Sequence, residues 1–540
     1  MLNYIWIALL FLGIGAAVTT DIVNKNDNKY RNNIPMTVTI QSDSFFVKNH
    51  GKSNSAKIII TKEIYNKFFN DKTDHDLSFT TDLIWSDKSH KYSAHFSVDK
   101  NDPQTLKDIA SAAGDKSDIS GTIVLGKVLG NNTVEAVLVF EEVNFLKLKG
   151  ITNAGLDYAG IAVNIALGLI GVMALWLGVM KIAETAGLIA KFASLLKPFT
   201  RRLFPDVPHD HPAMGAMIMN MSANMLGLGN AATPFGLKAM EELDTLNPEK
   251  GTATNSMITF LAINTAGMTL IPASAIAIRA ASGSSDPAII IGTSLFGSFC
   301  ATVAGILSAK LLQNVSSGAK RWYQDNIKLL VAIMVIVAVI VSFIMVPGMK
   351  NIGNIFSFLN LGLIKDIIQF FSIIAIPALI VFFVGYGAFK KVKVYEQFVE
   401  GAKEGFTIAI RILPYLVAML VAIGIFRAGG AMQWLITILT PVTNLIGMPA
   451  EALPMALMRP LSGSGSLGVM SEIIKVHGPD SFIGILVSTF YGSTETTFYV
   501  LAVYFGAVNI KNTRHAVPVG LIADICGILG ALFIVKLLFG

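Results

Sequence analysis

Glu495 lies among Ser493, Thr494, Thr496 and Thr497 in the run STFYGSTETTFY at 488–499, with apolar sequence on both sides. A carboxylate at membrane depth is costly unless it is protonated, paired, or in contact with a cation or solute hydroxyls in a hydrated cavity, which makes it a candidate site. The competing reading is a structural hydrogen bond to a neighbouring helix. Arg459, beside Pro460, could pair with Glu495 or with an anionic solute, or could merely snorkel. Two further segments set amides and hydroxyls among glycines. NMSANMLGLGNAATPFG at 220–236 supplies Asn220, Asn224, Asn230 and Thr233, and RPLSGSGSLG at 459–468 supplies Ser462, Ser464 and Ser466. Helices broken by glycine inside a membrane expose backbone N–H and C=O groups, tolerated only where protein or a watery cavity satisfies them. Amides and hydroxyls bind sugars, bases or dehydrated cations, and half-helix ends add their dipoles. Equally, small and polar residues hold helices together. Asn264 and Thr265, in FLAINTAGMTLIP at 260–272, take in the first half the place that Glu495 holds in the second.

Other chemistries find little support. Asp206-Val-Pro-His-Asp-His211 mixes carboxylates and imidazoles, but its flanking prolines point to a rigid loop capping the next helix instead of a metal centre. His50, His75, His90 and His95 are scattered without ligand spacing, and Cys300 and Cys526 sit far apart in separate apolar runs. No Ser/His/Asp order, P-loop, HExxH or dinucleotide fingerprint occurs, so neither an enzyme nor a cofactor is expected. The net charge of +6 is spread through short loops, and no basic patch for nucleic acid stands out.

The elements that must position these residues are mostly membrane helices. Of 540 residues 53% are hydrophobic and only 14% charged, against about 25% charged in ordinary soluble domains. Crossings are expected at 3–20, 155–181, 252–279, 287–311, 321–346, 365–389, 404–427, 480–506 and 514–538, each long enough for a core of about 30 Å. The first is read as an uncleaved helix, since it lacks a basic n-region and a cleavage site. Residues 212–245 and 449–475 are apolar but interrupted, and are expected to enter the membrane without crossing and to meet near its midplane. Residues 21–150 are polar, with period-two stretches Met36–Ile40, Lys57–Thr61 and Val134–Phe140, a hairpin turn at Asn131-Asn132 and a short helix at 103–113. They form a small β-rich, α+β soluble module.

An internal repeat orders the rest. LGLIGVMALWLGVMKIAETAGL and LPYLVAMLVAIGIFRAGGAMQW are each followed by a proline-containing stretch, LLKPF at 195–199 and ILTPV at 438–442, then by a broken segment, then by a polar-centred helix. Lys181, Lys191, Lys197, Arg201 and Arg202 cluster after the first, whereas nothing basic lies between Arg427 and Arg459 in the second. The positive-inside rule then puts 182–211 and 390–403 in the cytoplasm, the 21–150 module and the 428–458 loop outside it, and makes the repeats inverted, as in many transporters.

The stretches LWLGVMKIAETAGL, LFPDVPHDHPAMGAMIMNMSANMLGLGNAATPFGLKAME and NSMITFLAINTAGMTLIP resemble spore maturation protein A. VYEQFVEGAKEGF, RPLSGSGSLG and HGPDSFIGILVSTFYGSTETTFYVLAVYFGAV resemble spore maturation protein B. The resemblance covers roughly 155–312 and 365–540, and LGLGNAATP is its most specific core. These proteins belong to a group with a nucleoside recognition, or Gate, domain similar to segments of concentrative nucleoside transporters and the ferrous iron transporter, and that kinship implies transport. The spore proteins are associated with late spore maturation, fused relatives occur in bacteria that do not sporulate, and the insertion at 21–150 departs from the compact pattern of the A protein.

The expected protein is therefore an all-α polytopic protein of the bacterial inner membrane with two inverted repeats. It divides into a first helix (1–20), the extracytoplasmic module (21–150), an A-like repeat (151–312), a linking helix and loop (313–364) and a B-like repeat (365–540). The expected activity is secondary transport or permeation of a small polar solute, nucleoside-like or ionic. The alternative is a non-transporting assembly or envelope factor, a member of the spore maturation machinery. Membrane lipid and the solute are the expected partners, with room for a homo-oligomer and for an envelope partner on the module.

Overall fold

The computed structural model describes residues 2–42, 53–86, 90–99, 101–112, 118–130, 132–227, 229–313 and 361–540. They fall into two units, 8–156 with 424–433, and 1–7 with 157–423 and 434–540. In the first unit the period-two pattern becomes strands β1 (Met36–Gln41), β2 (Ser53–Ile60), β3 (Leu77–Ser86), β4 (Lys91–Ser97), β5 (Asp118–Gly130) and β6 (Thr133–Phe140). Each pairs antiparallel with the next and β1 also pairs β6, closing a barrel. Closure leaves no edge strand open to pair with another chain. Strand β3 buries alternate residues Leu77, Phe79, Thr81 and Leu83, as period two demands. Two short helices, Lys62–Phe69 and Gln104–Ala112, complete the module.

The module is anchored to its flanking helices. Helix α1 (Leu2–Asn26) carries Asp21, whose carboxylate accepts the N–H groups of Lys147 (3.0 Å) and Leu148 (2.9 Å) at the start of the 40-residue helix Leu146–Thr185. An anion at the positive end of a helix is stabilising. A methyl added at Gly13 of α1 would lie 2.8 Å from the Phe426 Cα, so that helix pair packs backbone to backbone, as small residues allow in membranes.

Five helical segments among the described residues are long and apolar enough to span: Trp6–Asn26, Leu146–Thr185, Pro287–Leu312, Val394–Ala428 and Ala516–Phe539. They match the expected crossings at 3–20, 155–181, 287–311, 404–427 and 514–538. The crossing at 365–389 falls in the helix Leu361–Phe389, and the one at 321–346 lies outside the described residues. Two expectations are corrected. Residues 252–279 form two helices, Asn255–Ala266 and Ala273–Ala281, because Gly267 ends the first in a left-handed conformation (φ +55°) and Pro272 precedes the second. Residues 480–506 likewise divide into Phe482–Ser493 and Thr497–Ala507, with Thr494 and Thr496 in extended conformations.

With helices numbered in chain order, the first repeat comprises α4 (Leu146–Thr185), α5 (Leu188–Leu203), α6 (Pro212–Met225), α7 (Gly229–Thr245), α8 (Asn255–Ala266), α9 (Ala273–Ala281) and α10 (Ile290–Leu312). After α11 (Leu361–Phe389) the same order returns as α12 (Val394–Ala428), α13 (Ala431–Ile446), α14 (Leu453–Met458), α15 (Gly463–His477), α16 (Phe482–Ser493), α17 (Thr497–Ala507) and α18 (Ala516–Phe539). Helices α5 and α13 are each 16 residues long with an internal proline, Pro198 and Pro441.

Candidate functional site

One backbone hydrogen bond joins the non-helical turns of the two repeats, and each turn is also tied down within its own repeat. Glu495 N–H donates to the Thr265 carbonyl (2.8 Å), joining the α16–α17 break to the end of α8. Leu270 N–H donates to the Met225 carbonyl (2.8 Å), joining the α8–α9 break to the end of α6, and Phe498 N–H donates to the Pro460 carbonyl (3.1 Å) in the corresponding place of the second repeat. Backbone groups freed by the breaks are thus paired inside the protein, as an apolar environment requires. The approach is close: a methyl on Gly267 would lie 2.5 Å from the Glu495 Cγ. Glu495 therefore stands in the turn between two half-helices and not within a continuous helix.

Beside this crossing is a cavity of about 440 Å³, lined among others by Trp176, Asn224, Gly227, Gly267, Ser274, Arg459, Tyr491, Thr494 and Glu495. That volume lies in the usual range for small-molecule sites. The Arg459 guanidinium is 2% exposed and 3.6 Å from the Glu495 carboxylate, whose side chain is 52% exposed. Arg459 also donates to the Thr494 carbonyl and to the Thr496 hydroxyl (3.4 Å), and its cation lies 4.4 Å from the Tyr491 ring centre. A planar donor held on an aromatic face and a backbone carbonyl is a pre-oriented fork. Elsewhere on the cavity wall Lys181 meets Glu184 (3.2 Å) and Glu404 (3.6 Å).

Amides extend the site. The Asn224 amide donates to the Asn264 side-chain oxygen (2.9 Å), which also accepts from the Tyr504 hydroxyl (3.2 Å), and that hydroxyl accepts from the Asn220 amide (3.2 Å). Gly236 is required here, since a methyl would meet the Tyr504 hydroxyl at 2.2 Å.

Of the residues singled out in the sequence, Asn224, Arg459, Thr494 and Glu495 line the cavity, and Asn220, Asn264, Thr265 and Thr496 support it by the hydrogen bonds above. The serines do not face the asparagines across it. The Ser462 hydroxyl caps α15 by accepting from Gly465 N–H (3.0 Å), Ser464 lies 3.5 Å from it, and Ser466 bonds its own helix. Their spacing is that of a helix N-terminus, where serine serves the backbone. Ser493 donates to the Thr489 carbonyl (2.6 Å) and packs against Gly297. Thr233 is half-buried in α7 away from the cavity wall, and the Asn230 side chain lies outside the described residues. His211, in the proline-flanked loop, caps α6 by accepting the Ala213 N–H (3.2 Å), as expected of a rigid entry loop.

Sequence reasoning missed several participants. Glu404 lies inside α12 on the cavity wall. Arg279, fully buried in α9, reaches Asp480 at 2.8 Å and so ties the first repeat to the turn before α16. Asp524, buried in α18, was visible as a carboxylate inside the apolar run GLIADICGILG but was not weighed.

Known proteins fit this arrangement. The family model described as "Nucleoside recognition", Gate, matches residues 166–282 and 409–511, which contain both pairs of broken helices. Spore maturation protein B of Bacillus subtilis (strain 168) is 53% identical over 175 residues, 32% of this chain and 98% of that protein. Spore maturation protein A of the same organism is 46% identical over 160 residues, 30% of this chain and 82% of that protein. Inner membrane protein YjiG of Escherichia coli (strain K12) is 36% identical over 81 residues, 15% of this chain and 53% of that protein. No solved structure matches. With both Gate segments matched and two such relatives covered over most of their lengths, the chain belongs to the spore maturation A and B family of Gate-domain membrane proteins.

Proposed function

We propose that this membrane protein is a secondary transporter or permease for a small polar solute, nucleoside-like or ionic, working by alternating access between two inverted Gate repeats. The observation that carries the reading is the cavity at the crossed breaks, with Arg459 and Glu495 on its wall. Binding sites of transporters built from repeats lie where discontinuous helices meet. In this reading Glu495, Arg459, Thr494 and Asn224 touch the solute, while the Asn220, Tyr504 and Asn264 chain holds Asn224 in place. The Thr265 carbonyl holds the two breaks together, and Thr496 holds Arg459. No chemical step is involved. The protein sits in the bacterial inner membrane with the barrel module outside the cytoplasm.

The test is ligand-dependent melting of the purified protein. A solute present at about 100 times its Kd stabilises by about 2.7 kcal/mol. Glu495→Gln keeps shape and hydrogen bonding, so it should fold and melt as the parent does yet lose the solute-dependent shift. A panel of nucleosides, other small polar solutes and cations that leaves the melting temperature unmoved would defeat the reading. The alternative, an envelope or spore maturation assembly factor, draws on the names of the two relatives and on the closed barrel, a ready binding module. Under it, Glu495→Gln lowers yield or melting temperature and causes no separate loss of phenotype per folded molecule.

A further inference from the structure

Glu495 has a cationic partner, but among the described residues the carboxyl of Asp524 has no ion-pair partner. In α18 Asp524 is 1% exposed. Its Oδ2 accepts the Thr497 hydroxyl proton at 2.6 Å, and its Oδ1 has no hydrogen-bond partner among the described residues. No cation among them lies within ion-pair distance. Helix α18 packs against α8, α10, α16 and α17. Of these, α8 carries no titratable side chain, α10 carries Cys300 and Lys310, α16 carries Tyr491, and α17 carries Tyr499 and Tyr504. Helix α18 itself adds Cys526 and Lys536. The ionic groups acting on Asp524 through space are Arg459 and Glu495, which are opposite in sign.

The carboxyl is also next to the α16–α17 break. Thr497 is the first residue of α17, immediately after the break that carries Glu495. A methyl on Gly520, one turn before Asp524, would meet the Thr497 methyl at 2.5 Å, and one on Gly527 would meet the Thr494 methyl at 2.6 Å. Thr494 lines the cavity. The break therefore lies between Asp524 and the cavity.

An ionised carboxylate with one oxygen unsatisfied in such a place bears a far greater desolvation cost than a neutral carboxyl. We infer that Asp524 is a proton-binding site, that it holds its proton while the α16–α17 break is closed over it, and that this proton is the ion taken up and released when the break parts. Loading forms an O–H bond at Oδ1 with a proton from hydronium and leaves a water molecule. Release is the reverse, with no electron transfer, and Thr497 donates to Oδ2 in both states. The exchange step rests on the transport reading; the proton site does not.

Infrared difference spectroscopy of the full-length protein in lipid nanodiscs tests both parts. Wild type minus Asp524→Asn at neutral pH should show the carbonyl stretch of a protonated carboxyl, absent from the variant and shifted in Thr497→Val. Should Asp524→Asn fail to accumulate, the shift in Thr497→Val protein labelled with carbon-13 aspartate makes the same assignment. An ionised-carboxylate signature at neutral pH, or an aspartate band indifferent to Thr497→Val, overturns the inference. Solute-dependent melting of the wild type keeps the two readings apart. A shift without the protonated band defeats the proton site alone, whereas the band without any solute shift defeats transport and the exchange step.

Discussion

Replacing Gly267 with alanine attacks the crossing of the two broken helices directly. Gly267 has φ +55°, where a non-glycine residue costs about 1–2 kcal/mol. The added methyl would lie 2.5 Å from the Glu495 Cγ and 3.1 Å from its Cβ and backbone nitrogen. Backbone cannot swing aside as a side-chain tip can, so overpacking adds about 1–3 kcal/mol. If the breaks part, the Glu495 N–H to Thr265 carbonyl bond is lost, at about 0.5–1.5 kcal/mol. The total is about 2.5–6.5 kcal/mol. Gly283→Ala is the matched control: its φ is +79° and a methyl there meets nothing within 4 Å, so only the backbone term applies. The excess of Gly267→Ala over this control is about 1.5–4.5 kcal/mol, which for a chain of this length should lower the melting temperature of the purified protein by about 1–4 °C more than the control does. Equal melting of the two variants would mean that the breaks do not touch as described.

Tyr504→Phe removes a hydroxyl that accepts from Asn220 and donates to Asn264, and should destabilise by about 1–3 kcal/mol. Combined with Asn220→Ala the loss should be less than additive, whereas additive melting shifts would break the proposed amide chain. In the barrel, burial raises the Asp71 pKa, but bonds from the Thr105 hydroxyl, the Lys72 N–H and the Tyr65 hydroxyl outweigh it and hold the carboxyl below its ordinary value. Its contribution is thus present at neutral pH and lost as pH falls through that lowered value. Asp71→Asn should weaken hydrogen-exchange protection of β1–β6 at neutral pH and flatten its decline in acid, and an unchanged acid profile would count against the role. Impermeant thiol labelling of intact cells, with Cys300 and Cys526 replaced, should reach a cysteine at position 75 and miss one at 392. The opposite pattern would remove the inverted-repeat argument.

Membrane class, three of the barrel's strands (β1, β2 and β6) and five of the long helices were legible in the sequence, because each depends on local composition or periodicity. Hydrocarbon demands about 20 apolar residues whatever the neighbours do, and β-strands alternate whatever they pair with. The recurring glycines and prolines likewise marked two repeats in order. Which breaks matter was decided only in three dimensions. The asparagine and serine segments looked the more broken, yet the turns at Gly267 and Glu495 meet, with the Glu495 N–H bonded to the Thr265 carbonyl. Ser462 and Ser466 looked like ligands and serve their own helix, since a serine at a helix start finds the nearest N–H first. Tyr504, Glu404 and Asp524 gained their places from helices distant in sequence, through contacts that no local pattern records. Helix formation depends on neighbours three and four residues away, but a cavity depends on which helices meet, and that follows from the packing of the whole chain.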